Sequence, residues 1–518
     1  MLIFVYAILT GCLIQLVILP YLFPQLHAGN GLLAGRDWVG FHEQAIVHAQ
    51  EITSGGWDKF RLRTDGDNAI IGLAAFFYKI FIPKPWVLLP LSAAMFATGG
   101  LALFCMLKNL DLEDGEAGIA LLPYLFFPSA LLQYGQIHKD VFCTAGVLVI
   151  LWSWVSLLKK ERKDIDVAVF LILNSLALML VSVFRPYFMY PFLGFGAGLL
   201  VWLAIRTSWQ FFNLRADQKN DATRSALKFN FESTVILMLL CASVYVMSIS
   251  YLDVRFQYVE RGKSMSKYEI PVVIWKSNDD VRNADSNRFS QNADRTMQGL
   301  VFPVFIWRSN DDVRSADAAR LLRNADEAEL IKSIQECRPI VILRDDAFIE
   351  NTVNRAFLKI AVARAGFTSS GGTTVASNID KDTNFCKNTD LVSYIPRALQ
   401  IAFFAPFPSQ WLSTAKRNSS AVEIYISAVE MFYCYVAYLG LLYWLVSYKR
   451  WNIPLVVPIA FAVGLSLLLG LTVANVGTLY RMRFPFAMIF VSIGMAGLMQ
   501  MARAIPLWVE RVGTGNDQ

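Results

Sequence analysis

Two carboxylates and two histidines are grouped in one short segment near the N-terminus, GRDWVGFHEQAIVH at 35–48. A carboxylate in such a segment can act as a general base that removes the proton of an attacking hydroxyl group. A neighbouring histidine or second acid can orient the acceptor or a divalent metal ion. We therefore predict Asp37 as the catalytic base, with His42 and Glu43 as its partners.

Several cations occupy short turns between apolar runs, where positive charge is unfavourable unless it binds an anion. Arg185 stands in FRPY, and Arg481 and Arg483 stand in NVGTLYRMRFP. A phosphate group would account for several such charges together, because arginine and lysine are its usual partners in proteins. The predicted phosphate-binding residues are Lys139, Arg185, Arg397, Arg481 and Arg483.

Three further groups each allow two interpretations. Asp65-Gly-Asp67 matches the Asp-x-Asp that binds metal and sugar nucleotide, but Asp-Gly is also a common turn pair, and we favour the turn. His138 and Asp140 flank Lys139, and Asp140 either caps the following helix or contacts a ligand. Glu430 lies inside an apolar run, as a hydrogen-bond acceptor or as a proton-coupling group of a transporter.

Composition identifies the elements that must position these residues. The chain has 518 residues, of which 55% are hydrophobic and 17% charged, and its mean hydropathy is +0.43. Soluble domains carry nearer a quarter charged residues. The net charge of +6 is small for a chain of this length, which argues against nucleic acid as a partner. The sequence therefore predicts an all-α polytopic membrane protein.

Ten apolar runs approach the roughly 20 residues that cross a bilayer. The first ends in Tyr-Leu-Phe-Pro and not in a small-residue cleavage site, so we expect a retained span and not a signal peptide. Two further apolar segments, 69–82 and 394–408, are short or interrupted by prolines and are predicted to be interfacial or re-entrant. The predicted spans are 2–23, 86–107, 118–133, 141–158, 167–184, 188–205, 234–252, 422–446, 454–473 and 485–501.

Lysine and arginine clusters fall on one side of the membrane when the spans are drawn in this way. They lie at 159–163, 206–228, 449–450 and 503–511. The positive-inside rule makes that side the cytoplasm. The loop at 24–85, and with it Asp37, is then extracytoplasmic, and so are the other predicted site residues near span ends.

A long polar insertion at 253–393 separates an N-terminal membrane region, 1–252, from a C-terminal one, 394–518. It contains a duplication: PVVIWKSNDDVRNAD at 271–285 recurs as PVFIWRSNDDVRSAD at 303–317. We predict an extracytoplasmic α/β-like insertion and assign it no chemistry. Cys337 and Cys386 lie in this polar region and form either a disulfide or two free thiols.

Five short motifs give the chain a resemblance to a known family. They are RDWVGFHEQA, FFPSALLQYGQIHKD, the Arg-Pro-Tyr at 185–187, IPRALQIAFFAPFP and YRMRFPFAMIF. Together they resemble polytopic type C glycosyltransferases, and in particular the bacterial members found with surface-polysaccharide assembly. The resemblance covers most of the chain outside 253–388.

The resemblance implies a polyprenyl-linked sugar donor, a glycan or lipid-linked acceptor, extracytoplasmic chemistry and an essential acid in the first outer loop, which corresponds to Asp37. A second acid in that loop would be Glu43, Asp65 or Asp67. We expect an enzyme of the bacterial inner membrane, in contact with membrane lipid and with a possible divalent metal ion. A repeat-unit polymerase of the same type, a transporter or flippase of lipid-linked glycans and a non-catalytic assembly factor are the alternatives.

Overall fold

The computed structural model describes residues 1–34, 37–63, 68–158, 164–216, 272–277, 305–309, 340–344, 348–369, 378–381, 383, 385, 387–411, 418–447 and 453–514. The described chain is mainly helical. Its helices are α1 (Leu2–Leu13, continued by a π-helix at Ile14–Leu22), α2 (Asp37–Gly55), α3 (Ala69–Ile80), α4 (Leu89–Asn109), α5 (Asp114–Phe126), α6 (Pro128–Gly135), α7 (Asp140–Leu158), α8 (Asp164–Phe184), α9 (Met189–Ala216), α10 (Phe348–Ser369), α11 (Asn388–Phe404), α12 (Asn418–Ser447), α13 (Ile453–Thr472), α14 (Val476–Met482) and α15 (Phe484–Thr514).

Seven described helices are long and apolar enough to cross a membrane, so the protein is a multi-pass membrane protein. An eighth crossing is added if the bent pair α5 and α6 counts as one span. The predicted total of ten is therefore not reached within the described residues, and the predicted span 234–252 lies outside them. The seven are Leu2–Leu22, Pro85–Asn109, Asp140–Leu158, Pro186–Trp209, Ile424–Ser447, Leu455–Thr472 and Phe484–Ala504.

The predicted span at 118–133 is broken in the middle. α5 and α6 meet at an angle of 63°. Pro128 begins α6, and the residue before a proline is driven out of the helical region by contact with the proline ring. Phe127 accordingly has extended backbone angles, with φ −60° and ψ 125°.

By its internal contacts the chain divides into two compact units. Unit 1 comprises Met1–Arg255, Pro406–Leu465 and Phe484–Gln518. Unit 2 comprises Phe256–Ala405 and Ser466–Arg483.

α7 is the central helix of unit 1. In its most apolar 18-residue window 94% of the residues are buried, whereas in the first span the share is 28%. A helix that is apolar on every side, as α7 is, must be surrounded by other elements. Two of its polar side chains have a partner on α8, since Ser153 Oγ and Trp154 Nε1 both donate to Asn174 Oδ1, at 3.2 and 3.1 Å.

Three strands of unit 2 form a parallel sheet in the order β2-β1-β3: β1 (Val272–Ser277), β2 (Phe305–Ser309) and β3 (Ile340–Arg344). β1 and β2 are the two copies of the duplication, and Val273 pairs with Phe305, which is its own counterpart. β3 pairs Val272 with Ile340. Both of these follow a proline, and PIVILR at 339–344 has the same apolar pattern as PVVIWK at 271–276.

α11 corrects one part of the expectation that three prolines interrupt the apolar segment 394–408: Pro396 lies inside the helix, whereas the helix ends before Pro406 and Pro408. The helix runs from Asn388 through Pro396 to Phe404 without a break. Proline removes one backbone hydrogen bond, but a packed helix can carry that loss. α3 is short, as expected, with 12 residues.

Close packing of α12 against α15 depends on glycines. A Cβ added at Gly497 would overlap the carbonyl oxygen of Gly440, and one at Gly494 would overlap the carbonyl oxygen of Ala437. Small residues at a helix crossing allow the two backbones to approach and pack, which is how helices associate in lipid. The pairs Ala437/Gly440 and Gly494/Gly497 therefore set the distance between the two helices.

We predict that Gly497→Ala lowers the stability of the folded protein by about 1–3 kcal/mol, because the added methyl group has no space. The measurement is the midpoint of thermal unfolding in detergent micelles. Gly464→Ala is the matched control, because Gly464 lies in another candidate span and has nothing within 4 Å of its added Cβ. Equal midpoints for the two variants would contradict the tight crossing.

Candidate functional site

A buried ion pair joins the start of α7 to the turn that follows α8. Arg185 Nε donates to Asp140 Oδ1 at 2.9 Å, and Arg185 Nη2 contacts the same oxygen. The side chains are only 12% and 5% exposed. Arg185 also donates to the Tyr187 hydroxyl. Two of the residues predicted from sequence are thus each other's partners.

This pair places the start of α7 and the end of α8 at one end of unit 1. The end of α7 at Leu158 and the start of α8 at Asp164 then lie at the opposite end. That end also holds a hydrogen bond of 2.8 Å from Asn109 to Ser156 and the ion pair of Lys108 with Asp114. The basic cluster 159–163 itself lies outside the described residues.

The first turn of α2 packs against the 138–140 turn. The Trp38 indole donates to the Leu33 carbonyl oxygen at 2.5 Å, and its ring lies 6.0 Å from that of His138, edge to face. Lys139 Nζ lies 6.0 Å from the centre of the Phe41 ring. Asp37 is exposed and stands one turn before Phe41. Residues four apart share a helix face, so Asp37 and Lys139 lie on the same side of α2.

Hydrogen bonds tie the rest of the first loop to this neighbourhood. Lys139 Nζ donates to Asn68 Oδ1 at 2.6 Å, and Arg63 donates to the Ser182 carbonyl oxygen at 2.6 Å. Asp65 and Asp67 lie outside the described residues, so their two interpretations stay open.

His42 is buried, and both of its ring nitrogens have hydrogen-bond partners. Its Nδ1 lies 2.7 Å from the Tyr78 hydroxyl, and its Nε2 lies 3.3 Å from Asn30 Nδ2. Asn30 in turn accepts from Lys84 Nζ at 2.7 Å. Burial, and then the charge of Lys84, lower the pKa of His42, so the ring is neutral at neutral pH. Glu43 is exposed on the next position of α2.

In unit 2, Arg397 is paired with an acid. Its Nε and Nη2 donate to the two oxygens of Asp380, at 2.9 and 3.1 Å. The hydrogen bond from Arg397 holds the pKa of Asp380 below its usual range. Arg364, fully buried nearby, donates to the carbonyl oxygens of Thr383 and Asp380 and lies over the Tyr394 ring.

Arg483 donates hydrogen bonds to backbone carbonyls at the C-terminal end of a helix. Its guanidinium is buried and donates to the carbonyl oxygens of Ala402, at 2.6 Å, and Ala405. The last carbonyls of a helix have no partner within the helix, so Arg483 completes the C-terminus of α11. Arg481, two residues earlier, is half-buried.

Glu430 accepts a hydrogen bond from a backbone N–H at the N-terminal end of a helix. It is 2% exposed, and its Oε1 accepts from the backbone N–H of Ser129 at 2.7 Å. Ser129 lies in the first turn of α6, whose free N–H groups and positive dipole favour a carboxylate. The other end of α6 is also closed by side chains, since Gln15 and Gln136 both donate to the Gly135 carbonyl oxygen.

Within the described residues, no group of three His, Cys, Asp or Glu side chains could hold a metal ion. In unit 1 the structure brings Asp37, His138, Lys139, Asp140 and Arg185 to one neighbourhood. His42 faces Tyr78 and Asn30, and Glu430 belongs to the break between α5 and α6. Arg397, Arg481 and Arg483 belong to unit 2.

Several polar partners were not found from sequence. Asn68 and Asn30, which hold Lys139 and Lys84, are ordinary loop asparagines in the sequence. Arg364 stands in an unremarkable polar stretch. No sequence signal distinguished them, because their roles come from partners at least 16 residues away.

Comparison with models of protein families, with curated proteins and with solved structures finds no match to this chain.

We predict that Asp140→Ala lowers the stability by about 3–5 kcal/mol, because Arg185 is left as a buried charge without its partner. The double variant Asp140→Ala/Arg185→Met should recover much of that loss, since neither charge then remains. The measurement is thermal unfolding of the purified protein in detergent. If the stability losses of the two single substitutions simply add up in the double variant, the two side chains do not stabilise each other.

Proposed function

We propose that this chain is an integral-membrane glycosyltransferase of the type C kind. It moves a sugar or glycan from a polyprenyl phosphate or pyrophosphate carrier to a surface-glycan acceptor. The reaction takes place on the extracytoplasmic side of the bacterial inner membrane. The observation that supports the proposal best is an exposed carboxylate, Asp37, on the same side of α2 as the ammonium group of Lys139.

The two groups suit the two halves of a glycosyl transfer. The Asp37 carboxylate takes the proton of the acceptor hydroxyl, whose oxygen attacks the anomeric carbon of the donor sugar. The bond from that carbon to the phosphate oxygen breaks, and its electron pair leaves with the phosphate. Lys139, which lies over Phe41 one turn after Asp37, stabilises the charge that develops on the leaving phosphate.

The remaining cations have smaller parts in the proposal. Arg185 shares its charge with Asp140, so it contributes oriented N–H groups more than net charge. Arg397 and Arg483 are engaged by acceptors of the protein itself, and with Arg481 they belong to the other unit. The phosphate assignment therefore rests on Lys139, whose ammonium group has further donors beside the one given to Asn68. His42, neutral and enclosed, positions the start of the loop, and Glu43 is the reserve acid.

We also propose the membrane topology that the sequence predicts. The chain then crosses the membrane ten times, with 234–252 as one of the spans, and has an α/β-like insertion outside the membrane. A polymerase that transfers a growing chain onto a lipid-linked repeat unit would use the same groups in the same roles.

A transporter of lipid-linked glycans is the second candidate, and one observation favours it. Transporters bind substrates at broken helices whose termini face charged groups inside the membrane. The bent pair α5 and α6, with Glu430 at the start of α6, has that arrangement.

We predict that Asp37→Asn reduces glycan synthesis by about 100-fold or more, because the base is lost while the shape of the side chain is kept. The measurement is glycan output of cells carrying the variant, with protein level and membrane insertion checked in parallel. Glu51→Gln is the matched control, since Glu51 is an exposed acid on the same helix, with 60% side-chain exposure. Near-normal synthesis with Asp37→Asn would exclude it as the base and move the search to Glu43.

Glu430 separates the two candidate functions. In the enzyme, Glu430→Gln should be nearly neutral, because the amide oxygen still accepts from Ser129, whereas Glu430→Ala should cost about 1–3 kcal/mol of stability by leaving that N–H unpaired. Glycan output and thermal unfolding are both measured. A Glu430→Gln protein that is stable but inactive would favour proton coupling, and thus the transporter.

A further inference from the structure

Five aromatic rings form a continuous row along the first loop and α3: Trp57, Phe60, Phe76, Phe77 and Phe81. We call this row the aromatic ridge. Neighbouring ring centres are 5.6 to 6.2 Å apart, from Trp57 through Phe76 to Phe81. Such spacing is that of rings in mutual contact.

The side chains at both ends of the ridge are exposed. Trp57 is 51% exposed and Phe81 is 63% exposed. Ile80 and Ile82, beside Phe81, are 49% and 48% exposed. The opposite face of α3 is buried, including Ala74 and Tyr78. The ridge is thus the outer side of an anchored helix and not part of the core.

α3 cannot present this surface by crossing the membrane. Its 12 residues extend about 18 Å at 1.5 Å per residue, while the hydrocarbon core is about 30 Å thick. An exposed apolar row on a helix of that length fits an element that lies in the plane of the interface.

Basic side chains accompany the ridge. Lys59 lies between Trp57 and Phe60, Arg61 follows Phe60, and Lys79 lies between Phe77 and Phe81. Lys59 and Arg61 are exposed, and Lys79 reaches Thr53 at 3.2 Å. Between Trp57 and Phe81 the sequence has four basic residues and three acidic ones, Asp58, Asp65 and Asp67, so the net charge of this stretch is +1. Aromatic rings with lysine and arginine around them are typical of the level of lipid headgroups.

We propose that the aromatic ridge is an interfacial anchor that docks the first loop onto a bilayer containing anionic phospholipid. Trp57 and Phe81 insert at the headgroup level, and Lys59, Arg61 and Lys79 contact the lipid phosphates. The anchor holds α2 and α3 at a constant depth. It stands on the geometry of the ridge alone and does not depend on a catalytic role for Asp37.

The test uses the full chain in vesicles made of equal amounts of phosphatidylglycerol and phosphatidylethanolamine. Trp57 and Phe81 are replaced, one at a time, by the photo-crosslinking residue p-benzoylphenylalanine, which keeps an aromatic ring at the site. Gln50, exposed on α2, is the control position. After irradiation, lipid adducts on the protein are measured by mass spectrometry.

We expect lipid adducts at 57 and 81 severalfold above those at 50, with phosphatidylglycerol preferred. Lys59→Gln and Lys79→Gln should each reduce that preference, by up to about fivefold per charge removed. Adducts at 57 and 81 no higher than at 50 would overturn the anchor. Protein–protein crosslinks in place of lipid adducts would overturn it as well and assign the ridge to a protein partner. Equal labelling of the two lipids would overturn the role of the cations.

Discussion

The buried pair of Asp140 and Arg185 is the constraint on which the described part of unit 1 depends most. A charge that is removed from water must have a partner, and each of these two has the other. The pair joins the start of α7, the most buried helix, to the turn between α8 and α9. It also supports the 138–140 turn, on which the first turn of α2 packs through Trp38. Asp37 and Lys139, the two groups of the proposed reaction, therefore lie on elements that this ion pair supports.

Helix termini explain two of the other unusual charges. Glu430 accepts from an N–H at the start of α6, and Arg483 donates to carbonyls at the end of α11. In surroundings without water, an open backbone group costs several kcal/mol, so side chains must close these ends. A charge in an apolar run can thus indicate either a ligand or a helix end. Arg483 and Glu430 have the second role.

In the insertion, strand pairing shows a relationship between segments that the sequence alone does not make evident. The duplication at 271–285 and 303–317 is evident from sequence, and the sheet pairs residues 273–277 of one copy with their counterparts 305–309 in the other. The segment PIVILR at 339–344 shares the apolar pattern of PVVIWK but differs from it at three positions, including 343, where leucine replaces tryptophan. The register of β3 beside β1 aligns the two segments.

The lengths of the apolar runs by themselves determined that this is a membrane protein. They also determined the position of seven of the candidate spans and the shortness of α3. The reason is that the thickness of a bilayer sets a length that a spanning helix must match. These lengths could not reveal the break between α5 and α6, since Pro123 and Pro128 both lie in the run and only Pro128 breaks it. Nor could they decide which charges bind each other. Asp140 and Arg185 are 45 positions apart, and Glu430 and Ser129 are 301 apart. Such pairs form only when the helices pack, so the tertiary structure alone decided which of the predicted residues are structural partners of one another.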